Sequence, residues 1–341
     1  MIFLRVDSNE VIATGHLMRC LVIANKLRII GEECVFVVSD SKSFEIIEKW
    51  GFNYICLNSE WDKIDDELDS FIKLIKAYNV KKVIIDSYYI SEKYLSTLKK
   101  YVKLIYLDDI NKFKYPVNMI INYSDTYKRF NYDDIYKDED IVFLSGYQYV
   151  PLRDEFDGIE VCIREDIKEV IFTVGGSDNL NITNMFIEEI AKLETNKDII
   201  FNIVVGRVNK NISLINKIVE GLQNVKVFSN ISNMSDLIRK CDLAITAGGT
   251  TILEMCACKI PTIGISIADN QREGMAVLRE KEAIIYAGDA LEDKYKVINT
   301  INYNIELLKD SVEVRKRLST NMGNILDGKG ASRIASEIHK L

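Results

Sequence analysis

The sequence has little of what marks a secreted, metal-binding or membrane protein. It contains seven cysteines, and no two of them form a C-x-x-C pair. Most lie inside apolar segments, so we expect reduced core thiols, with neither disulfides nor a metal site. Its apolar runs fall short of the roughly 18 residues that a membrane span needs. The N-terminal segment is charged at Arg5, Asp7 and Glu10, unlike a signal peptide, which predicts a cytoplasmic protein without membrane insertion.

Basic charge is also scarce. The formal net charge is -7 at pH 7, and no lysine- or arginine-rich stripe is present. This balance excludes nucleic acid as the main partner. A small anionic ligand held locally by backbone amides remains compatible with it. The sequence leaves the oligomeric state open.

Prolines and histidines are few. The chain has three prolines and two histidines among 341 residues, so its regular elements are rarely interrupted and His16 stands out. Short β-branched runs alternate with amphipathic segments, which is the pattern of βαβ units and a parallel sheet. An apolar content of 48% suffices for two cores. We predict two doubly wound, Rossmann-like α/β domains at residues 1–157 and 158–341, the second with a helical tail from Leu291.

In such sheets ligands bind beyond the carboxyl ends of the strands, so we expect functional residues directly after strands, in a cleft between the domains. Arg5 and Asp7 end the first strand, and Gly15 and His16 begin a helix. A glycine at a helix N-terminus lets an anion approach the free amides. The positive end of the helix favours a neutral imidazole, so His16 can act as a general base. A histidine that only caps the helix is the alternative.

The second domain contains a glycine turn that suits a diphosphate. The strand "LAIT" is followed by Gly248, Gly249, Thr250 and Thr251, after which a helix begins. Small residues and hydroxyls therefore surround a helix N-terminus, where free amides favour anions. Glu254 lies one turn further and is placed to bind the two hydroxyls of a ribose. Together with Thr251 it also fits a capping box, which is the purely structural alternative.

Polar residues follow the next strand as well. Asp269, Asn270 and Gln271 come directly after "GISIA", and three in succession exceed the single N-cap that a helix requires. A second glycine turn, "TVGGSDNLN", follows the first strand of this domain. Neither glycine turn has the G-x-G-x-x-G or G-x-x-x-x-G-K-[ST] spacing. NAD and ATP are therefore not expected, and we predict no cofactor.

Several segments, taken in order, resemble a known family. They are "RVDSNEVIATGHLMRCLVIANKL", "IIDSYY", "VGGSDNLN", "MSDLIRKCDLAITAGGTTILEMCA" and "ADNQ". Together they look like the UDP-sugar hydrolases of pseudaminic acid synthesis, a group also labelled as spore-coat polysaccharide glycosyltransferases. They are similar, more distantly, to the glucosaminyltransferase that makes lipid II. The histidine after a glycine is the most specific element.

The resemblance implies a GT-B fold that holds UDP in the C-terminal domain. It implies metal-independent hydrolysis of UDP-2,4-diacetamido-2,4,6-trideoxy-β-L-altropyranose at the anomeric C–O bond, with His16 as the base that activates water. The substrate would be this UDP-sugar and one product UDP. Asp7 and Tyr88 are predicted to be catalytic together with His16. The other residues predicted for the site are Gly15, Gly248, Gly249, Thr250, Thr251, Glu254, Asn270 and Gln271 for UDP, the stretch Phe228 to Ile231 for the uracil, and Arg5, Asp86 and Asn270 for the sugar.

Two departures from the family pattern leave the identity of the sugar open. Ala13 stands where the family often has the first glycine of G-x-G-H, and the C-terminal extension from Leu291 is longer. Two other functions also remain open. One is a glycosyltransferase in which His16 deprotonates an acceptor hydroxyl. The other is a nucleotide-sugar binding protein without turnover, in which His16→Ala would behave like the wild type.

Overall fold

The computed structural model describes residues 1–9, 12, 14–176, 178–206, 209–229, 231 and 233–341. The chain divides into two compact units, which we call the first unit (Met1–Arg153 with Lys329–Leu341) and the second unit (Asp154–Gly328). Each unit contains one sheet whose paired strands are parallel. The predicted fold class of two doubly wound α/β domains is confirmed.

The first unit is a seven-stranded sheet covered by helices on both faces. Its strands are β1 (Ile2–Val6), β2 (Cys34–Val38), β3 (Asn53–Cys56), β4 (Lys82–Asp86), β5 (Lys103–Leu107), β6 (Met119–Asn122) and β7 (Val142–Ser145), and its helices before the second unit are α1 (Gly15–Ile29), α2 (Phe44–Lys49), α3 (Leu68–Ala77), α4 (Glu92–Leu98) and α5 (Tyr132–Ile135). The order is β3-β2-β1-β4-β5-β6-β7. The strand order reverses between β1 and β4, so a crevice is expected at their carboxyl ends.

The second unit repeats this plan with six strands. Its strands are β8 (Glu169–Thr173), β9 (Ile200–Val205), β10 (Val225–Ser229), β11 (Leu243–Ala247), β12 (Thr262–Ser266) and β13 (Ile285–Asp289), and its helices are α6 (Ile182–Phe186), α7 (Ile212–Ile218), α8 (Met234–Ile238), α9 (Thr250–Ala257), α10 (Arg272–Glu280), α11 (Ala290–Asp310) and α12 (Val312–Ile325). The order is β10-β9-β8-β11-β12-β13, and the reversal falls between β8 and β11.

The unit boundaries differ from the predicted division in one element. The first unit ends at Arg153, and the last helix, α13 (Gly330–Lys340), returns to it from the end of the chain. Ile334, Ala335 and Ile338 of α13 are buried in the core of the first unit. The prediction that residues 158–341 form one domain is corrected here, because a narrow apolar stripe in a polar tail does not reveal which core it completes.

One strand of the first unit was not predicted. β7 is four residues long and follows a charged segment, so its apolar run is too short to be recognised by periodicity alone. Within the described part of the chain, every helix is too short or too polar to cross a bilayer.

Candidate functional site

The first candidate site lies where β1 and β4 end and α1 begins. A small pocket there is lined by residues of two segments named above and by one residue that was not predicted, Trp61; the lining is Asp7, Ile12, His16, Trp61, Asp86, Ser87, Tyr88 and Tyr89. Its position matches the reversal of strand order. Gly15 is exposed at the start of α1, and a Cβ built there meets no atom within 4 Å. Ala13 lies outside the described residues.

His16 is held by a buried carboxylate. Its Nδ1 lies 2.5 Å from Oδ1 of Asp86, and the Asp86 side chain is fully buried. An ionised carboxylate only accepts hydrogen bonds, so Nδ1 carries the proton and Nε2 is left to accept one. The His16 side chain is 11% exposed, which leaves a small part of the ring accessible. A base oriented by a carboxylate is the arrangement that activates hydroxyls or water in hydrolases.

Arg19 binds the same carboxylate beside His16. Its Nε donates to Oδ2 of Asp86 at 2.5 Å, and its Nη2 donates to Oδ1 at 2.6 Å. Its Nη1 donates to Asp109 at 2.8 Å and to the hydroxyl of Tyr123 at 2.7 Å. This bidentate geometry fixes the carboxylate plane that in turn orients His16. Burial alone would lower the pKa of Arg19, but Asp86, Tyr123 and Asp109 raise it well above its usual value.

Tyr88 packs against the imidazole of His16. The two rings meet edge to face, with centroids 4.6 Å apart and an interplanar angle of 84°. The Tyr88 hydroxyl donates to Asp109 at 2.9 Å, and Asp109 also accepts a hydrogen bond from Arg19. Burial and the neighbouring Asp109 raise the pKa of Tyr88 above its ordinary value, so the phenol stays protonated.

Because Asp86 is ionised in the folded protein, the free energy of unfolding should decrease in acid. Burial alone would raise the pKa of Asp86, but Arg19 and His16 outweigh it and hold the pKa well below its usual range. Since the unfolded pKa is about 3.9, this stabilisation is complete above about pH 4 and is lost as pH falls through the folded pKa. Urea unfolding between about pH 5 and pH 3 should therefore show a smaller loss of stability for Asp86→Asn than for the wild type.

The control for this measurement is Asp269→Asn, whose side chain is 82% exposed. It should keep the wild-type dependence of unfolding free energy on pH. Identical dependences for Asp86→Asn and the wild type would contradict the assigned ion pair.

Arg5 was predicted to face the sugar, and the structure corrects this role. Its side chain is completely buried, with Nε 2.5 Å and Nη2 2.8 Å from the two carboxylate oxygens of Glu67 and Nη1 2.5 Å from Asp7. Asp7 also accepts from the backbone N–H and the hydroxyl of Ser39, at 2.7 and 2.8 Å. Arg5 therefore fixes Asp7 beside the His16 pocket, and full burial denies it contact with a ligand.

The second candidate site lies in the second unit, at the carboxyl ends of β8, β11 and β12. A cavity of about 380 Å³ opens there. Among the described residues that line it, none is charged: they are Val174, Gly175, Gly176, Asn179, Leu180, Ala247, Gly249, Thr250, Thr251, Ile267, Ala268 and Gln271. It again coincides with the reversal of strand order. An anion bound here would depend on backbone amides, hydroxyls and the α9 dipole.

Helix α9 begins with its N-terminal amides uncapped by any side chain. Gly249 occupies the N-cap position, where it has no side chain to offer, and Thr250 is the first helical residue. Thr251 is then the second helical residue, so the capping-box alternative for Thr251 and Glu254 is wrong. Glu254 is half-buried in the second turn and does not line the cavity.

Of the other residues predicted to bind UDP, some line the cavity and others lie outside it. Gln271 lines the cavity, and its side-chain oxygen accepts a 2.9 Å hydrogen bond from the backbone N–H of Ile267. Asn270 is exposed and does not line the cavity. The N-cap of α10 is Gln271, so neither Asp269 nor Asn270 caps this helix. Ile231 is half-buried beyond β10, while Asn230, within the predicted uracil stretch, lies outside the described residues.

The two glycines of the turn differ in what surrounds them. A Cβ on Gly248 would lie 2.7 Å from Cγ and 2.8 Å from Sδ of buried Met275, whereas a Cβ on Gly249 meets nothing within 4 Å. Gly248→Ala should therefore lower the free energy of unfolding by about 1–3 kcal/mol. Gly249→Ala should cost less, at most about 1 kcal/mol for the poorer N-cap, and should weaken UDP binding if the diphosphate occupies this turn as predicted.

Calorimetric titration with UDP and thermal unfolding of both variants check this prediction. Unchanged UDP affinity in Gly249→Ala would contradict the assignment of the diphosphate to this turn.

Arg19, Asp109 and Tyr123 were not predicted from the sequence. Arg19 lies three residues after His16, on the same face of α1, and Asp109 follows β5 as Asp86 ends β4. An arginine at that helical spacing and a carboxylate beyond the neighbouring strand are the sequence signals that could have identified the first two.

Among the described residues, no group of three or more His, Cys, Asp and Glu side chains is placed to hold a metal ion.

Comparisons with known proteins agree with this fold. The model of the glycosyltransferase family 28 C-terminal domain matches residues 170–316, within the second unit. The crystal structure of MurG from Acinetobacter baumannii superposes with a TM-score of 0.71 at 12% identity, over 100% of this chain and 99% of that one. The structural similarity shows a GT-B fold, and the family match covers less than half of the chain.

Two relatives align over most of the chain. An uncharacterized protein of Methanocaldococcus jannaschii is 30% identical over 283 residues, which are 78% of this chain and 56% of that protein. The chain thus spans about half the length of that relative. The UDP-2,4-diacetamido-2,4,6-trideoxy-beta-L-altropyranose hydrolase of Campylobacter jejuni is 24% identical over 284 residues, 82% of this chain and 96% of that enzyme.

Proposed function

We propose that the protein is an enzyme that hydrolyses a UDP-sugar at its anomeric C–O bond. The observation that carries the proposal is the His16–Asp86 pair at the N-terminus of α1, an oriented base in a pocket. The similarity to the Campylobacter jejuni hydrolase supports a UDP-linked diacetamido-trideoxy sugar as the substrate. The reaction would release UDP and the free sugar for nonulosonic acid synthesis.

In the proposed step, a water oxygen forms the new bond to the anomeric carbon. Nε2 of His16 takes the water proton, while Asp86 stabilises the imidazolium that results. The bond between the anomeric carbon and the diphosphate oxygen breaks, and its electron pair leaves with UDP. One well-placed base contributes roughly 10²- to 10⁴-fold to such a rate.

The leaving diphosphate is assigned to the cavity of the second unit. Its growing negative charge would be stabilised by the uncapped amides at the start of α9 and by the hydroxyls of Thr250 and Thr251. Because none of the described lining residues is charged, we assign this stabilisation to the amides and the helix dipole. Glu254, Asn270 and Ile231 remain proposed contacts to the nucleotide.

A glycosyltransferase is the second candidate, favoured by the match to the glycosyltransferase family 28 C-terminal domain. In that reaction Nε2 of His16 would take the proton from an acceptor hydroxyl.

Release of UDP from the diacetamido-trideoxy-altrose nucleotide, measured with no acceptor present, separates the two candidates. The hydrolase proposal predicts continuous turnover. Release that depends strictly on an added acceptor would overturn it in favour of a transferase.

A further inference from the structure

Two aromatic residues of the His16 pocket have no part in the proposed proton transfer. Trp61, from the loop after β3, and Tyr89, from the loop after β4, both line the pocket with His16. Their rings meet edge to face, with centroids 4.8 Å apart and an interplanar angle of 81°. Two separate loops thus deliver a paired aromatic surface to the same side of the sheet as the base.

This surface is left open to solvent. Tyr89 is 42% exposed, and Trp61 is half-buried. Exposed tyrosines occur elsewhere, as at Tyr101, but that residue precedes β5 at the opposite edge of the sheet. Only at the carboxyl edge does exposed aromatic area adjoin an oriented base among the described residues.

The charges around the pocket select against an anion. The carboxylates that line it belong to Asp7 and Asp86, and none of its described lining residues is a lysine or arginine. A diphosphate would meet negative charge here, while the cavity at α9, whose described lining residues carry no charge, offers it free amides. An uncharged group with one apolar face suits the pocket, because aromatic rings bury C–H surface and carboxylates accept hydroxyl hydrogen bonds.

We infer that Trp61 and Tyr89 form an aromatic platform for the sugar itself, specifically for a glycosyl group that presents a deoxy or N-acyl face. The inference rests on the proposed function and adds the residues that select the sugar. The platform binds the substrate sugar in the ground state and in the transition state alike, so its removal should raise KM more than it lowers kcat.

Tryptophan fluorescence tests this platform directly, because the chain has two tryptophans. In a Trp50→Phe background, Trp61 is the remaining tryptophan, and Trp50 lies outside the pocket, at the end of α2. Titration with free 2,4-diacetamido-2,4,6-trideoxyaltrose should change the Trp61 emission saturably. Tyr89→Ala in the same background should raise the apparent Kd about tenfold, and Tyr101→Ala should leave it unchanged.

Three results would overturn the platform: no saturable change with the free sugar, an equal Kd in Tyr89→Ala, or an equal emission change with UDP alone. These outcomes are separable from a failure of the proposed function. A protein that binds the free sugar at Trp61 but releases no UDP would retain the platform and lose the hydrolase. Continuous UDP release without a change in Trp61 emission would retain the hydrolase and rule out the platform.

Discussion

His16→Asn should slow UDP release by roughly 10²- to 10⁴-fold while leaving UDP binding intact. Asparagine is small enough for the pocket and can still donate to Asp86, but it has no nitrogen that accepts a proton at neutral pH. Because the UDP cavity is assigned to the second unit, the affinity for UDP should not change. Steady-state release assays and calorimetric titration with UDP measure the two quantities.

The chain offers a matched control in its other histidine. His339 lies in α13, is largely exposed, and its Nδ1 is 2.8 Å from Glu32. His339→Asn should release UDP at the wild-type rate. Equal rates for His16→Asn and the wild type would mean that His16 is only a structural element of the α1 N-terminus.

Arg5→Met should destabilise the first unit by about 3–5 kcal/mol, the usual cost of leaving buried charges without their partner. Asp7 and Glu67 would lose the guanidinium that compensates them at a completely buried position. Burial alone would lower the pKa of Arg5, yet Asp7 and Glu67 raise it above its usual value, so the arginine stays charged. Urea unfolding followed by circular dichroism measures the change.

Arg317→Met is the control, since Arg317 is 62% exposed and its Nε lies 3.7 Å from Glu282. Exposed pairs of this kind contribute little, so its unfolding free energy should stay near the wild-type value. Wild-type stability in Arg5→Met together with a raised KM for the sugar would restore the original prediction that Arg5 binds the sugar.

The sequence revealed the positions of the two sites because strand ends are readable from it. β1, β4 and β11 are mostly apolar and are ended or followed by polar or glycine residues, so Asp7, Asp86 and the Gly248 turn could be placed at the carboxyl ends of the sheets. Their closeness to one another within each unit follows from the strand order. The sequence pattern does not determine which side chain pairs with which.

The partners of Arg5 and Asp86 were not predicted for this reason. The resemblance implied that both contact the sugar, whereas Arg5 is bound by two buried carboxylates, and Asp86, which lines the pocket, is bound by His16 and Arg19. Such pairings join residues up to 70 positions apart and depend on packing. The same limit applies to α13, whose apolar stripe completes a core built from residues between Ile2 and Leu144.

In the proposed reaction, water attacks the anomeric carbon with His16 as the base. Hydrolysis of the UDP-diacetamido-trideoxy-altrose in water labelled with heavy oxygen, followed by mass spectrometry of both products, shows which bond is cleaved. We expect one labelled oxygen in the free sugar, none in UDP, and a strongly reduced rate in His16→Asn. Label in UDP would place the cleavage at phosphorus and rule out attack at the anomeric carbon.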